Sequence, residues 1–193
     1  MATTKPIKDI RQIAMVKEYF LKMGHVRDYT LFILCINTAL RIGDILHLKW
    51  EDVYDFDIRQ FHSHILIREQ KTGKENCVAL NSNTVEALSR LLAQVKAGAD
   101  KDSYIFKSRK GGNRPISRNW AWSIFTSAAR SLSGVEKFSC HSLRKTFGYH
   151  AWKSGISSVL LMTIYNHSSF NITKRYLGID QFEKDLVYRK VIL

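Results

Sequence analysis

Apolar and polar residues along this chain follow two periods, and the period changes where the fold must change. From Ile10 to Met23 the apolar residues recur at helical spacing, and Gly24 stands where such a helix would stop. Tyr29 to Ala39 is apolar nearly all round, which predicts a helix central to the core, with Asp28 as its N-cap. A short helix over Gly43 to Leu48 follows. The period then drops to two. Val53 to Ile58 and His62 to Glu69 read as strands, the second carrying β-branched Ile65 and Ile67, and Asn76 to Leu80 makes a third. Lys71-Thr72-Gly73-Lys74 is the turn between the last two. Helical spacing returns over Thr84 to Val95, Ser117 or Arg118 to Leu132, Ser142 to Lys153, Ser157 to Tyr165 and Gln181 to Arg189. The predicted class is mainly α with a small antiparallel β-sheet, an α+β fold.

Composition narrows this picture a little. The 193 residues suit one domain, and 45% hydrophobic residues can bury a core, which excludes a disordered tail. No apolar run reaches the roughly 18 residues of a membrane span, and Met1 to Arg11 lacks an apolar signal region, so a soluble, cytoplasmic protein is expected. Cys35, Cys77 and Cys140 are widely spaced without a C-x-x-C, which suggests reduced thiols rather than a zinc site or a disulfide framework. His62 and His64 could share a strand face, but a third ligand is missing nearby, so no metal is expected there. Asn171-Ile172-Thr173 matches a glycosylation acceptor, with nothing pointing to secretion.

Charge changes the picture more. Lys and Arg number 30 against 17 acids, a formal charge of +13. The excess is uneven: residues 103 to 179 hold 12 basic residues and one acid, Glu136. A basic, nearly acid-free stretch attracts polyanions, with salt-dependent binding by counterion release. Nucleic acid is favoured over an anionic membrane surface or mere solubility. The loop Lys110-Gly111-Gly112-Asn113-Arg114-Pro115 and the helix after it, from Arg118, are the expected nucleic-acid face, with Lys145, Lys174 and Arg175 as further contacts.

Four places carry candidate chemistry. In Thr38-Ala39-Leu40-Arg41-Ile42-Gly43-Asp44, an Arg sits among large apolar neighbours, and a buried guanidinium must be paired. Asp44, three residues on, is the expected partner, and a fixed Arg fork suits a phosphate. Lys71 stands at a hairpin tip, where a lysine is usually only solvated. His141-Ser142-Leu143-Arg144 opens a helix and places His141 and Arg144 on one face, beside free N–H groups. Finally, Asn166-His167 is followed by Tyr176 in a basic turn. A phenol attacks well only where the site favours its anion or takes its proton. Each feature alone is commoner as ordinary structure: a surface ion pair, a solvated turn, a capped helix, a packed tyrosine.

Their order is another matter. An Arg in T-x-L-R-x-x-D, a Lys on a hairpin, H-x-L-R, a second His, and a Tyr nine residues later resemble the tyrosine recombinase, or phage integrase, family across residues 26 to 180. The resemblance implies that fold and its chemistry. Arg41 and Arg144 would clamp the scissile phosphate, with Asp44 supporting Arg41. Lys71 would donate a proton to the leaving 5′ oxygen. His141 would assist proton transfer, His167 would contact a phosphate oxygen, and Tyr176 would be the nucleophile. No metal or other cofactor is implied. Two departures stand out: Asn166 replaces the usual Gly before the second His, and Lys145 replaces a common His after the second Arg.

The resemblance further implies a bacterial or phage-encoded site-specific recombinase acting on double-stranded DNA through a 3′-phosphotyrosine. Self-association as a tetramer is implied too, with the tail Asp180 to Leu193 docking on a neighbour. The alternatives are a DNA-binding module of the same fold that competes with a full-length recombinase, and a topoisomerase-like relaxing enzyme. The expected division is a short extension or first helix over 1–25, the catalytic domain over 26–180 and a tail helix over 181–193. Family members usually carry a further helical clamp before the catalytic fold. The chain would then be an excised piece or a short natural integrase, and the start at Met1 favours the second.

Overall fold

The computed structural model describes residues 4–95 and 99–192. Its first helix, α1 (Ile10–Lys22), turns Val16 and Phe20 inward, and Asp9 caps it by accepting from the Arg11 N–H. Gly24, at φ +67°, ends it in a conformation that costs glycine little. The second helix, α2 (Val26–Asn37), starts earlier than the pattern predicts. Asp28 is therefore not its cap; it lies in the first turn, where an acid suits the helix dipole, and its carboxylate accepts from Arg27 Nε at 2.9 Å. The start moves forward because half-buried Val26 packs on the core.

Every residue from Thr30 to Cys35 is buried, as an all-round apolar helix demands. Around α2 pack α1, α4 (Ser82–Val95), α5 (Arg118–Ser131) and α6 (Cys140–Lys153). Phe20, Phe32, Phe125 and Phe138 meet tilted or edge-on at the centre, with neighbouring ring centroids 6.2–6.5 Å apart.

The strands form two separate ladders rather than one sheet. β1 (Tyr54–Asp55) pairs with β2 (Gln60–Phe61), and β3 (His64–Arg68) with β4 (Glu75–Ala79), both antiparallel. The first predicted strand breaks after two residues because Asp55 Oδ1 accepts from the N–H groups of Asp57 and Ile58, and Arg59 turns left-handed at φ +57°. In the second ladder Ile65 faces Val78 and points into the core, while Leu66 points to solvent.

The remaining elements carry the second half of the site. α3 (Ile42–Leu46) follows α2 after a bend; α7 (Ser158–Ile164), α8 (Phe170–Lys174) and α9 (Gln181–Lys190) close the chain. α8 is absent from the sequence prediction, since one turn shows no periodicity. A small cluster of Ala39, Leu161, Tyr165 and Leu177 joins these pieces to the body. Residues 4–8 run along α6: the Ile7 N–H donates to Thr146 Oγ1 at 2.9 Å, and Lys8 Nζ reaches Asp180 at 2.8 Å. Among the described residues no helix is long and apolar enough to cross a membrane.

Candidate active site

The bend between α2 and α3, the β3–β4 turn, the start of α6 and the segment after α8 enclose a cleft of about 680 Å³. Arg41, Lys71, Arg118, His141, Arg144 and Tyr176 line it. Five of the six residues expected from sequence to carry chemistry thus share one concavity. The sixth, His167, lies behind it, with its ring centroid 4.6 Å from that of Tyr176.

Each guanidinium is held in a different way. At the bend, Ala39 takes a left-handed φ of +56°, a strained conformation for a side-chain-bearing residue, and its carbonyl accepts from Arg144 Nη1. Arg144 Nη2 donates to the Tyr165 carbonyl at 3.2 Å, and its Cζ lies 4.8 Å from the Tyr165 ring centroid. Tyr165 is fixed in turn: its hydroxyl donates to the Arg144 carbonyl at 2.7 Å. Gly148 makes room for this, since a Cβ there would stand 2.5 Å from that hydroxyl. Arg144 is 3% exposed, and its Nε has no partner among the described residues.

Arg41 corrects an expectation. Asp44 does not receive its guanidinium; Glu69 does, through Arg41 Nη1 and Glu69 Oε2. Asp44 Oδ1 instead accepts the Gln70 N–H at 2.9 Å. It is one helix turn on from Arg41, within α3, and faces the hairpin rather than the cleft's cation. It therefore supports the backbone next to Lys71. Gly43 lets Arg118 cross α3, because a Cβ there would meet Arg118 Nη2 at 2.5 Å. Arg118 Nη2 then reaches Gln70 Oε1 at 3.3 Å.

The aromatic wall is a stack. His167 lies nearly parallel to Tyr165, 5.0 Å between centroids, and its Nδ1 shares a hydrogen bond with Thr173 Oγ1 at 3.0 Å. The Tyr176 ring meets those of His141 (5.1 Å) and Tyr165 (4.9 Å). Both histidines are pushed down to about 4. For His141 the cause is first desolvation, then the positive charge of Lys145, Arg144, Lys71 and Arg41. For His167 it is desolvation, then Arg144 and Arg41. Both rings are therefore neutral at pH 7, and a bound anion would relieve the cationic repulsion and raise both.

The flanking cations divide. Lys110, Arg114, Arg118, Lys174 and Arg175 are exposed. Lys110 and Arg114 line a second, larger depression of about 920 Å³ with Trp120, on another part of the surface. Lys145 is the correction here: it is 4% exposed, and its Nζ donates to the Thr4 carbonyl at 2.7 Å. A chain segment 141 residues away covers it, so it offers nucleic acid no free amine.

Sequence reasoning passed over Glu69 and Trp122, and read Asn166 only as a departure from the usual glycine. Glu69 ends a strand, where an acid reads as surface. Asn166 adopts φ +54°, the left-handed conformation that explains how it stands in for glycine, and its Nδ2 reaches Glu69 Oε1 at 3.2 Å. Trp122 lines the cleft and is 52% exposed, a signal only its place on the helix could have given.

The chain is similar to known proteins along nearly all of its length. The profile described as Phage integrase family matches residues 6–182. A Bacillus subtilis protein named as a probable integrase/recombinase, YoeC, is 38% identical over 189 residues, covering 98% of this chain and 97% of the relative. Among solved structures, the XerA recombinase superposes with a TM-score of 0.80 at 19% identity, over 100% of this chain and 68% of that one. XerH, solved on its difH DNA substrate, does so at 0.76 and 18%, over 98% and 52%. At these identities the structures speak for the fold alone. The chain spans nearly all of YoeC, about two thirds of XerA and about half of XerH.

Proposed function

This chain belongs to the phage integrase family, and on that premise we propose that it is a site-specific DNA recombinase that cleaves and rejoins strands through Tyr176. The observation that carries the proposal is one cleft lined by a tyrosine, two arginines, a lysine and a histidine, with the second histidine against the tyrosine ring.

Tyr176 Oη attacks the scissile phosphorus, and the bond to the 5′ oxygen breaks. Arg41 and Arg144 bind the equatorial oxygens, where charge builds as the phosphoryl group is transferred. His141, a neutral ring at pH 7, assists removal of the phenol proton and contacts the phosphate. His167 contacts a phosphate oxygen. Lys71 protonates the leaving 5′ oxygen. The products are a 3′-phosphotyrosine and a 5′ hydroxyl, and attack by a second strand's 5′ hydroxyl reverses the step. The covalent link conserves the phosphodiester energy, so no nucleotide cofactor is required, and the cation set supplies the charge a metal would otherwise bring.

The substrate is double-stranded DNA. Lys110 and Arg114 bind its backbone from the depression they share with Trp120, Arg118 does so from the cleft, and Lys174 and Arg175 do so beside the nucleophile. Residues 26–180 carry the reaction, and α1, which buries Val16 and Phe20 in the same core, folds with them. The tail from Asp180 links copies into a tetramer on DNA. Phe182, Val187, Val191 and Ile192 are exposed there, while Glu183 anchors the helix at home. Unpaired cysteines and DNA chemistry fit the cytoplasm.

The test is a duplex pool from the source genome, nicked so that a cut cannot reseal. A protein–DNA band that survives denaturation and is lost in Tyr176→Phe supports the reading. Salt-sensitive DNA binding without a band in either protein would overturn it in favour of a DNA-binding module.

A further inference from the structure

The β3–β4 turn holds a carboxylate that the chemistry above does not use. Glu69 is 1% exposed, yet donors from separate parts of the chain converge on it. Oε2 accepts from Arg41 Nη1 and from Thr72 Oγ1, the latter at 2.6 Å. Oε1 accepts from Asn76 Nδ2 and Asn166 Nδ2, each at 3.2 Å. Its main chain closes the turn around Lys71: the Glu69 N–H donates to the Lys74 carbonyl at 2.9 Å, and its carbonyl accepts from Gly73 at 2.8 Å.

Such a group joins three things that must be in register. Arg41 comes from the α2–α3 bend, Lys71 rides on the turn, and Asn166 immediately precedes His167. A carboxylate offers about four acceptor sites, and all four are used here. A buried, fully satisfied ionic network fixes geometry more than it adds stability.

We propose that Glu69 is the positioning residue of this site, setting Arg41, the Lys71 turn and the His167 corner at one mutual spacing for the phosphate. Asn166 is part of the device: its left-handed backbone aims its amide at Glu69 while leaving His167 against Tyr176. The proposal rests on the recombinase reading for what the spacing serves, but the anchoring itself is independent of it. The carboxylate touches no reacting atom.

The test uses the full chain and compares the parent with Glu69→Gln, Asn166→Gly and Ile65→Val. A glutamine keeps the shape but brings one acceptor oxygen to four donors. Asn166→Gly keeps the backbone conformation and removes one donor, so it folds even if Glu69→Gln does not. Ile65→Val loosens the same strand without touching charge. Single-turnover formation of the covalent complex on the nicked duplex pool is followed as rate constant and amplitude separately.

Glu69→Gln is expected to lower the rate constant about 10-fold or more at full amplitude, and Asn166→Gly by a smaller factor. Ile65→Val should leave the rate constant unchanged, because a destabilised protein loses amplitude instead. In an Arg41→Lys background, Glu69→Gln should cost less than about 2-fold, as expected for a residue acting through Arg41. Side-chain NMR of the arginines supplies the second readout: the protected Arg41 guanidinium signal of the parent should be lost in Glu69→Gln. An unchanged Arg41 signal, or a Glu69→Gln loss confined to amplitude and matched by Ile65→Val, overturns the proposal. A parent that forms no covalent complex while the Arg41 signal still depends on Glu69 overturns the recombinase reading and leaves the anchoring standing.

Discussion

The arginine-bearing floor of the cleft and the wall that carries Tyr176 are built by different means. The floor is tied by polar bonds of long reach: Arg144 to the Ala39 and Tyr165 carbonyls, Arg41 to Glu69, Gln70 to Asp44. All of these acceptors belong to buried residues, so moving any of them leaves a buried group unsatisfied. The wall is a stack of rings from the segments on either side of single-turn α8, followed by α9, which presents Phe182, Val187 and Tyr188 to solvent. α9 is tethered mainly by Glu183, which accepts from Tyr149 Oη at 3.2 Å and Lys153 Nζ at 3.0 Å, together with the Lys8–Asp180 contact. The contrast suits the proposed chemistry: receptors for charge are set beforehand, while the nucleophile's segment can shift.

The largest effect should come from breaking the floor. Arg144→Ala is expected to lower the single-turnover cleavage rate by about 100-fold or more, and to destabilise the fold by about 1–3 kcal/mol for each carbonyl left without a donor. Chemical denaturation beside the cleavage assay reads both, and a cleavage loss with no stability change would show that Arg144 is not held as described.

Removing the tail after Gly178 should come next. Because its anchors lie outside the cleft, cleavage should change by about 10-fold or more, while DNA binding at low salt stays nearly intact. Unchanged cleavage would mean that the wall does not depend on the tail.

The histidines give a subtler test through pH. Their folded-state values, about 4, lie below the ordinary 6.5. Between these values the unfolded chain binds more protons, so their contribution to stability is present above about pH 6.5 and lost as pH falls toward 4. Replacing His141 and His167 with Asn should flatten that part of the stability–pH curve, measured by denaturant melts at several pH values. An unaltered curve would contradict the cation-crowded cleft. The smallest effect is expected at the second depression: Arg114→Ala should reduce the slope of log affinity against log salt by about one, without changing the cleavage rate at saturating protein.

The same contrast separates what could be read in the sequence from what could not. α2 was visible because a helix apolar all round has only one stable place. The hairpin was visible because Lys71-Thr72-Gly73-Lys74 punctuates two β-rich runs. The residues gathered at Tyr176 were found by order and type, through a resemblance, and not because any of them stands out locally. Glu69 escaped because its burial is made by partners 28 and 97 residues away. Lys145 was misread for the same reason, since the segment covering it comes from Thr4. The pairing of Arg41 with Asp44 is what helical spacing suggests, but a bend of the main chain gives Asp44 to the hairpin and Arg41 to Glu69. Long-range polar partners leave no period in a sequence.

The oxygen that takes the phosphate decides the proposed mechanism. The covalent complex would be trapped on nicked duplex DNA, trimmed with nuclease, digested with trypsin and mapped by mass spectrometry. A nucleotide adduct is expected on the peptide Tyr176–Lys184, with fragmentation placing it on Tyr176. An adduct on any other residue would contradict it.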